Sequence, residues 1–78
     1  MPKVKQIGPY RLHFFSADRR EPPHVHVERD KKTAKFWLTP VKLANKRGFT
    51  DREIRQVAAL VTANEAEVLR VWHERFGR

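Results

Sequence analysis

The chain has 78 residues, with 17 lysines and arginines, 9 aspartates and glutamates, and no cysteine. This length excludes a dinucleotide-binding fold and leaves room for a single domain over residues 1–78. The lack of cysteine excludes a disulfide framework and a thiolate metal site. The net charge of +8 favours a polyanion or an acidic protein as partner, and we expect no cofactor.

The positive charge is unevenly distributed along the chain. Residues 1–48 carry 12 basic and 4 acidic side chains, whereas residues 49–78 carry 5 of each. Solubility alone does not require one half to carry the whole excess, so the asymmetry favours a binding surface in the basic half. No apolar run approaches the ~18 residues that cross a bilayer, and no signal-peptide core is present. We therefore expect a cytoplasmic protein with no membrane partner.

In the basic half, apolar and polar residues alternate as they do in β-strands. Two prolines interrupt the pattern within a loop over residues 16–23, and Asp30-Lys31-Lys32-Thr33 predicts a hairpin connection. We predict an arm over residues 1–9 and a curled antiparallel sheet of three to four strands. The predicted strands cover residues 10–15, 24–28, 34–38 and 41–43.

From residue 49 onward the apolar residues recur with the period of a helix. Thr50 and Glu53 have the spacing of a capping box, Asn64 predicts a second N-cap, and Gly77 predicts a helix end. An unbroken helix over residues 51–76 would be ~39 Å long, which exceeds a compact domain of this size. We therefore predict two helices, or one kinked helix, packed on one face of the sheet in a small α+β fold.

Strand alternation also predicts the face of the sheet that points away from the core. If Val25 and Val27 point inward, then His24 and His26 point outward. Aromatic rings between cations are typical of platforms that stack bases and hold phosphates. The alternative is that the rings of Phe15 and Trp37 pack beneath the N-terminal arm or against a helix. The binding residues predicted on this face are Arg11, His13, Phe15, His24, His26, Lys35, Trp37 and Lys42.

The two histidines His24 and His26 lie ~6.6 Å apart along one predicted strand. As general base and general acid they would cleave RNA without a metal, which would make the protein an endoribonuclease. As metal ligands they would need a third donor, such as Glu28, His13 or Asp18. The H-x-H spacing is not specific for zinc, and we predict no metal site. As binding residues they would contact the loop or a partner.

The segment Pro22-Pro23-His24-Val25-His26-Val27 resembles the P-P-H-x-H-V segment of a small bacterial family classed as a domain of unknown function. The similarity extends to Phe14-Phe15-Ser16-Ala17-Asp18 before it and to Val68, Leu69 and Trp72 in the helical half. Genes of that family often lie beside a second small uncharacterised domain, in an arrangement similar to a toxin–antitoxin pair. The resemblance implies a protein partner, and by motif match it adds Pro22, Pro23, His24 and His26 as site residues.

These observations predict a non-enzymatic basic binding module, a toxin–antitoxin-like component that contacts RNA or DNA, a cognate small protein, or both. The alternative is the metal-independent ribonuclease that uses His24 and His26. A DNA-binding helix pair is a third hypothesis, which the zero net charge of residues 49–78 disfavours. An exposed aromatic face and an open sheet edge are also compatible with a homodimer.

Overall fold

The computed structural model describes residues 3–15 and 19–77. It consists of five strands, β1 (Lys3–Ile7), β2 (Tyr10–His13), β3 (His24–Arg29), β4 (Lys32–Trp37) and β5 (Lys42–Arg47), followed by two helices, α1 (Asp51–Ala63) and α2 (Glu65–Phe76). The strands form one antiparallel sheet in the order β1-β2-β3-β4-β5, so that each strand pairs with its neighbours along the chain. The α+β class, the antiparallel sheet and the two C-terminal helices are confirmed.

The prediction of three to four strands is wrong, because residues 3–7 form a strand and not an arm. Ile7 lies opposite Tyr10 across a two-residue turn. The turn begins at Gly8, whose φ of +56° is a left-handed conformation that glycine adopts without a steric penalty. Lysines disfavour strands, so the pattern of β1 is weak in the sequence. At the edge of a sheet, however, lysine is a common residue because it discourages edge-to-edge aggregation.

The two helices cover one face of the sheet and bury its apolar side chains. Trp72 of α2 is fully buried, and its ring centroid lies 5.1 Å from that of Phe14 and 4.4 Å from that of Phe76. A buried tryptophan contributes a large apolar area to so small a core. The inward direction predicted for the apolar strand residues is confirmed. The buried core comprises Tyr10, Leu12, Phe14, Val25, Val27, Ala34, Phe36, Leu38, Phe49, Ile54, Val57, Val61, Val68 and Trp72.

The helical half is interrupted at Asn64, as predicted. The longest dimension of the molecule is 34 Å, which is shorter than the ~39 Å of an unbroken helix. Asn64 does not cap α2 with its side chain; instead its Nδ2 donates to the Leu60 carbonyl at 2.8 Å and closes the end of α1. Gly77 ends α2 in a left-handed conformation. Within the described residues, neither helix has the length and apolar composition needed to span a bilayer.

Three lysines of the sheet pair with three carboxylates of the helices. In each pair the lysine ammonium lowers the pKa of the carboxyl group that it contacts. These three acidic residues of the helical half therefore compensate lysines on the helix-covered side of the sheet. The pairs are Lys5–Glu67 at 2.6 Å, Lys32–Glu53 at 2.8 Å and Lys46–Asp51.

The capping box predicted at the start of α1 is confirmed, and it makes Glu53 sensitive to acid. The hydrogen bond from Lys32 and the backbone N–H of Thr50 lower the pKa of Glu53 from 4.5 to about 2. Because this pKa is lower in the folded state, the stabilisation by the carboxylate is complete above about pH 4.5 and is lost as the pH falls towards 2.

We expect Glu53→Gln to lower the free energy of unfolding at neutral pH. The difference in this free energy between the variant and the unsubstituted protein should shrink as the pH falls from about 4.5 towards 2. Urea unfolding at a series of pH values measures both effects. The control is Glu74→Gln, which removes an exposed carboxylate paired with Arg70 inside α2 and should have a smaller effect. A difference for Glu53→Gln that does not change with pH would contradict the prediction.

Candidate functional site

The face of the sheet that the helices leave uncovered, called the outer face below, is defined by the strand register. Residues directly opposite each other in antiparallel strands point to the same face. His26 lies opposite both His13 and Lys35, and Trp37 lies opposite both His24 and Lys42. The predicted face assignment is therefore confirmed. The outer face carries Arg11, His13, His24, His26, Glu28, Lys35, Trp37 and Lys42.

Five imidazole and aromatic rings form one continuous group on this face, called the ring cluster below: His13, Phe15, His24, His26 and Trp37. The His26 ring centroid lies 4.6 Å from that of Phe15, 5.7 Å from that of His13 and 5.2 Å from that of His24. Phe15 remains 40% exposed. Residues 3–7 lie within the sheet as β1 and do not form the predicted arm. Trp37 is half-buried.

His24 lies on the outer face, as predicted, but its ring is fully buried, which disagrees with its predicted role as a surface contact. Trp72 of α2 lies 5.3 Å from it between ring centroids, and the loop before β3 covers its edge. Its Nδ1 is 2.9 Å from the carbonyl oxygen of Pro22, which only accepts, so Nδ1 carries the proton and donates. Its Nε2 lies 3.7 Å from Glu21 Oε1. His13 is also largely buried, at 9% exposure.

The two consecutive prolines hold the start of β3 in place. The Pro22 carbonyl accepts from His24, and the Pro23 carbonyl accepts from the backbone N–H of Leu38 at 3.0 Å. The second bond extends the pairing of β3 with β4 by one step, and neither proline has an N–H group that would need a partner. Pro22 and Pro23 therefore stabilise the start of β3. Their role in binding stays a prediction.

Charged side chains flank the ring cluster on both sides. Lys35 donates to Glu21 at 2.7 Å, and its ammonium lies 4.6 Å from the Trp37 ring centroid, a cation–π arrangement. On the other side, Glu28 lies 3.2 Å from the Arg11 guanidinium and 3.9 Å from His13 Nε2. Each carboxylate is thus engaged by a cation of the same face.

Strand β5 contributes two more cations, Lys42 and Arg47, and the sequence analysis found only the first. The register shifts midway along the β4–β5 pair, which places one extra residue in β5. Strict alternation from Lys42 would put Lys46 on the outer face, but the shift sends Lys46 towards Asp51 and turns Arg47 outward. Within the described part of the chain, neither Lys42 nor Arg47 makes an ion pair.

The described residues contain no group of three His, Cys, Asp or Glu side chains that could hold a metal ion. Asp18, a third ligand considered above, lies outside the described residues, as do Ser16 and Ala17 of the family-like segment.

The acid–base role considered for His24 and His26 requires that both rings reach a substrate. His26 is partly exposed, whereas His24 is enclosed between Pro22, Glu21 and Trp72. This geometry favours His26 as a residue that contacts a ligand. It disfavours His24 and His26 as a pair of general acid and general base. The catalytic assignment stays a prediction.

The fold and this face define a small α+β protein, with two helices on one side of a five-stranded sheet and a basic, ring-bearing surface on the other. The sequence model of the family described as "Domain of unknown function (DUF4160)" matches residues 10–73, and the chain belongs to this family. The match includes the ring cluster, while β1 lies before it. A search of curated proteins finds no match, and neither does a search of solved structures.

The two histidines should respond differently to substitution. His24→Ala removes a buried ring and leaves the Pro22 carbonyl without its donor, so we expect a loss of about 2–4 kcal/mol in the free energy of unfolding. His26→Ala should cost less than about 1 kcal/mol, because His26 is partly exposed. His24→Asn keeps a donor near the Nδ1 position and should recover part of the loss. Urea unfolding of the three variants tests this, and equal losses for both alanine variants would contradict it.

Proposed function

We propose that the protein is a non-enzymatic module that binds single-stranded RNA on its outer face. The observation that carries the proposal is the partly exposed ring of Phe15, which contacts His26 on a face whose charged residues are mostly basic. Single strands leave base faces free to stack on such rings, and their phosphates attract lysine and arginine. The permanent cations of the face are Arg11, Lys35, Lys42 and Arg47.

The distribution of ion pairs supports this choice of face. On the helix side of the sheet, Lys5, Lys32 and Lys46 are compensated by carboxylates of the helices. On the outer face, the carboxylates Glu21 and Glu28 engage Lys35 and Arg11. Two cations of β5 are left over, so the outer face keeps a net positive charge that attracts a polyanion.

Ring geometry suggests how a strand of RNA would lie on this face. A base stacked on Phe15 would meet His26 beside it, since the two rings are tilted by 64° and touch. Phosphates on either side would then face Arg11 and the two cations of β5. This arrangement positions a backbone without reading base edges, so the proposed binding tolerates different sequences.

The proposal extends to the cellular role implied by the family-like P-P-H-x-H-V segment. We place the module in the bacterial cytoplasm as a component of a toxin–antitoxin-like pair, where it contacts RNA, a cognate small protein, or both. The support for this part is the resemblance of Pro22–Val27 and its flanking residues, together with the net charge of +8.

Phe15→Ala tests the stacking contact. We expect it to weaken binding of a labelled single-stranded RNA by about 1–3 kcal/mol, or roughly five- to 150-fold, with little change in stability because the ring is partly exposed. Fluorescence anisotropy at low salt measures the affinity, and a gel of the same sample shows whether the RNA stays intact. Unchanged affinity would overturn the proposed face, and shortened RNA would restore the ribonuclease hypothesis.

The salt dependence of binding tests the interaction with phosphates. Removal of Lys42 and Arg47 together should lower the slope of log affinity against log salt by about 0.7 for each phosphate that is no longer neutralised. The matched control is Arg52→Ala with Arg55→Ala, which removes the same charge from exposed positions of α1 that form no ion pair among the described residues. An equal effect of both double variants would show that net charge alone, and not the outer face, sets the affinity.

A further inference from the structure

The strand β5 leaves one edge of the sheet open. It is the last strand in the sheet order, and among the described residues only β4 pairs with it. Its six residues span about 20 Å, and alternate backbone N–H and C=O groups along this length point away from β4. Nearly all of its side chains are exposed. The edge therefore offers a row of backbone donors and acceptors to an extended chain.

The two sides of this edge differ in chemistry. On the helix side, Leu43 lies opposite the buried Phe36, yet it is 37% exposed. On the outer side stand Lys42 and Arg47, the two cations that form no ion pair within the described residues. A strand added here would meet an apolar side chain on one face and positive charge on the other.

This pattern identifies the class of occupant. A second copy of the chain would bring its own Lys42 and Arg47 to the same junction, and like charges across a strand pair are destabilising. Lysine at an edge strand disfavours this kind of self-pairing. A strand that alternates acidic and apolar residues fits instead, with carboxylates towards the two cations and an apolar side chain against Leu43.

We propose that the β5 edge binds an extended acidic segment of a partner protein, which adds to the sheet as a sixth strand. Main-chain hydrogen bonds would supply affinity, and the alternating side chains would supply specificity. This interface shares Lys42 and Arg47 with the proposed RNA face, but it is distinguished from the RNA contact at Phe15 because it also uses the backbone edge and Leu43, which lie outside the ring cluster.

A synthetic peptide that alternates glutamate and valine tests the proposal. We expect saturable binding by anisotropy, with the largest amide chemical-shift changes and slowed hydrogen exchange in β5. Two control peptides carry backbone N-methyl groups on every second residue. One is methylated on the glutamates and the other on the valines. Since an extended strand donates to one neighbour from every second residue, methylation in one register should abolish binding and methylation in the other should not.

Two protein variants separate this interface from the RNA face. Leu43→Gln should weaken peptide binding by about tenfold, because it removes an apolar side chain that the added strand would bury, and it should leave RNA affinity unchanged. Phe15→Ala should weaken RNA binding and leave peptide binding unchanged. Failure of either proposal is thus visible without failure of the other.

Three results would overturn the proposal. Equal binding of both methylated peptides would show attraction by charge without strand pairing. Amide shifts confined to the ring cluster, with none in β5, would place the peptide elsewhere. A concentration-dependent dimer in sedimentation, with slowed exchange in β5, would make a second copy the occupant.

Discussion

The structure depends on the burial of a single face of the sheet beneath two helices, with Trp72 at the centre of the contact. Hairpin-connected antiparallel strands can leave one face to solvent, and here α1 and α2 cover only one. Every strand residue is therefore assigned either to the core or to the outer face. Because alternation, together with the register shift in β5, makes this assignment, the packing of the helices also determines which cations and rings remain available to a ligand.

The same division separates the charges of the protein. Residues 49–78 have a net charge of zero in the sequence. In the structure, three of their carboxylates form ion pairs with lysines of the sheet. Exposed pairs of this kind contribute little to stability individually. Their main effect is on the distribution of charge, since three lysines on the helix side of the sheet are compensated while β5 keeps two cations on the outer face. A basic half in the sequence thus becomes a basic face in the structure.

The histidine segment illustrates how a motif can serve the fold and the surface together. The Pro22 and Pro23 carbonyls orient His24 and extend the β3–β4 ladder, while His24 joins the ring cluster to Trp72 in the core. His26, two residues further along the same strand, is partly exposed and touches Phe15. A substitution in this segment therefore affects stability at His24 and surface chemistry at His26, although the two residues look equivalent in the sequence.

The sequence by itself determined the α+β class, the inward face of the main strands, the capping box at Thr50 and the interruption at Asn64. These features arise from contacts between residues close along the chain, or from periodicities that a short window contains. Only the tertiary structure decided that residues 3–7 pair as β1, that a shift in β5 turns Arg47 outward, and that His24 is buried. Each of these depends on a contact with another element, namely β2, β4 or α2. Local patterns do not record these contacts: the lysines of β1 give a weak strand pattern, the extra residue of β5 is defined only by its pairing with β4, and His24 is buried against Trp72, which is far along the chain.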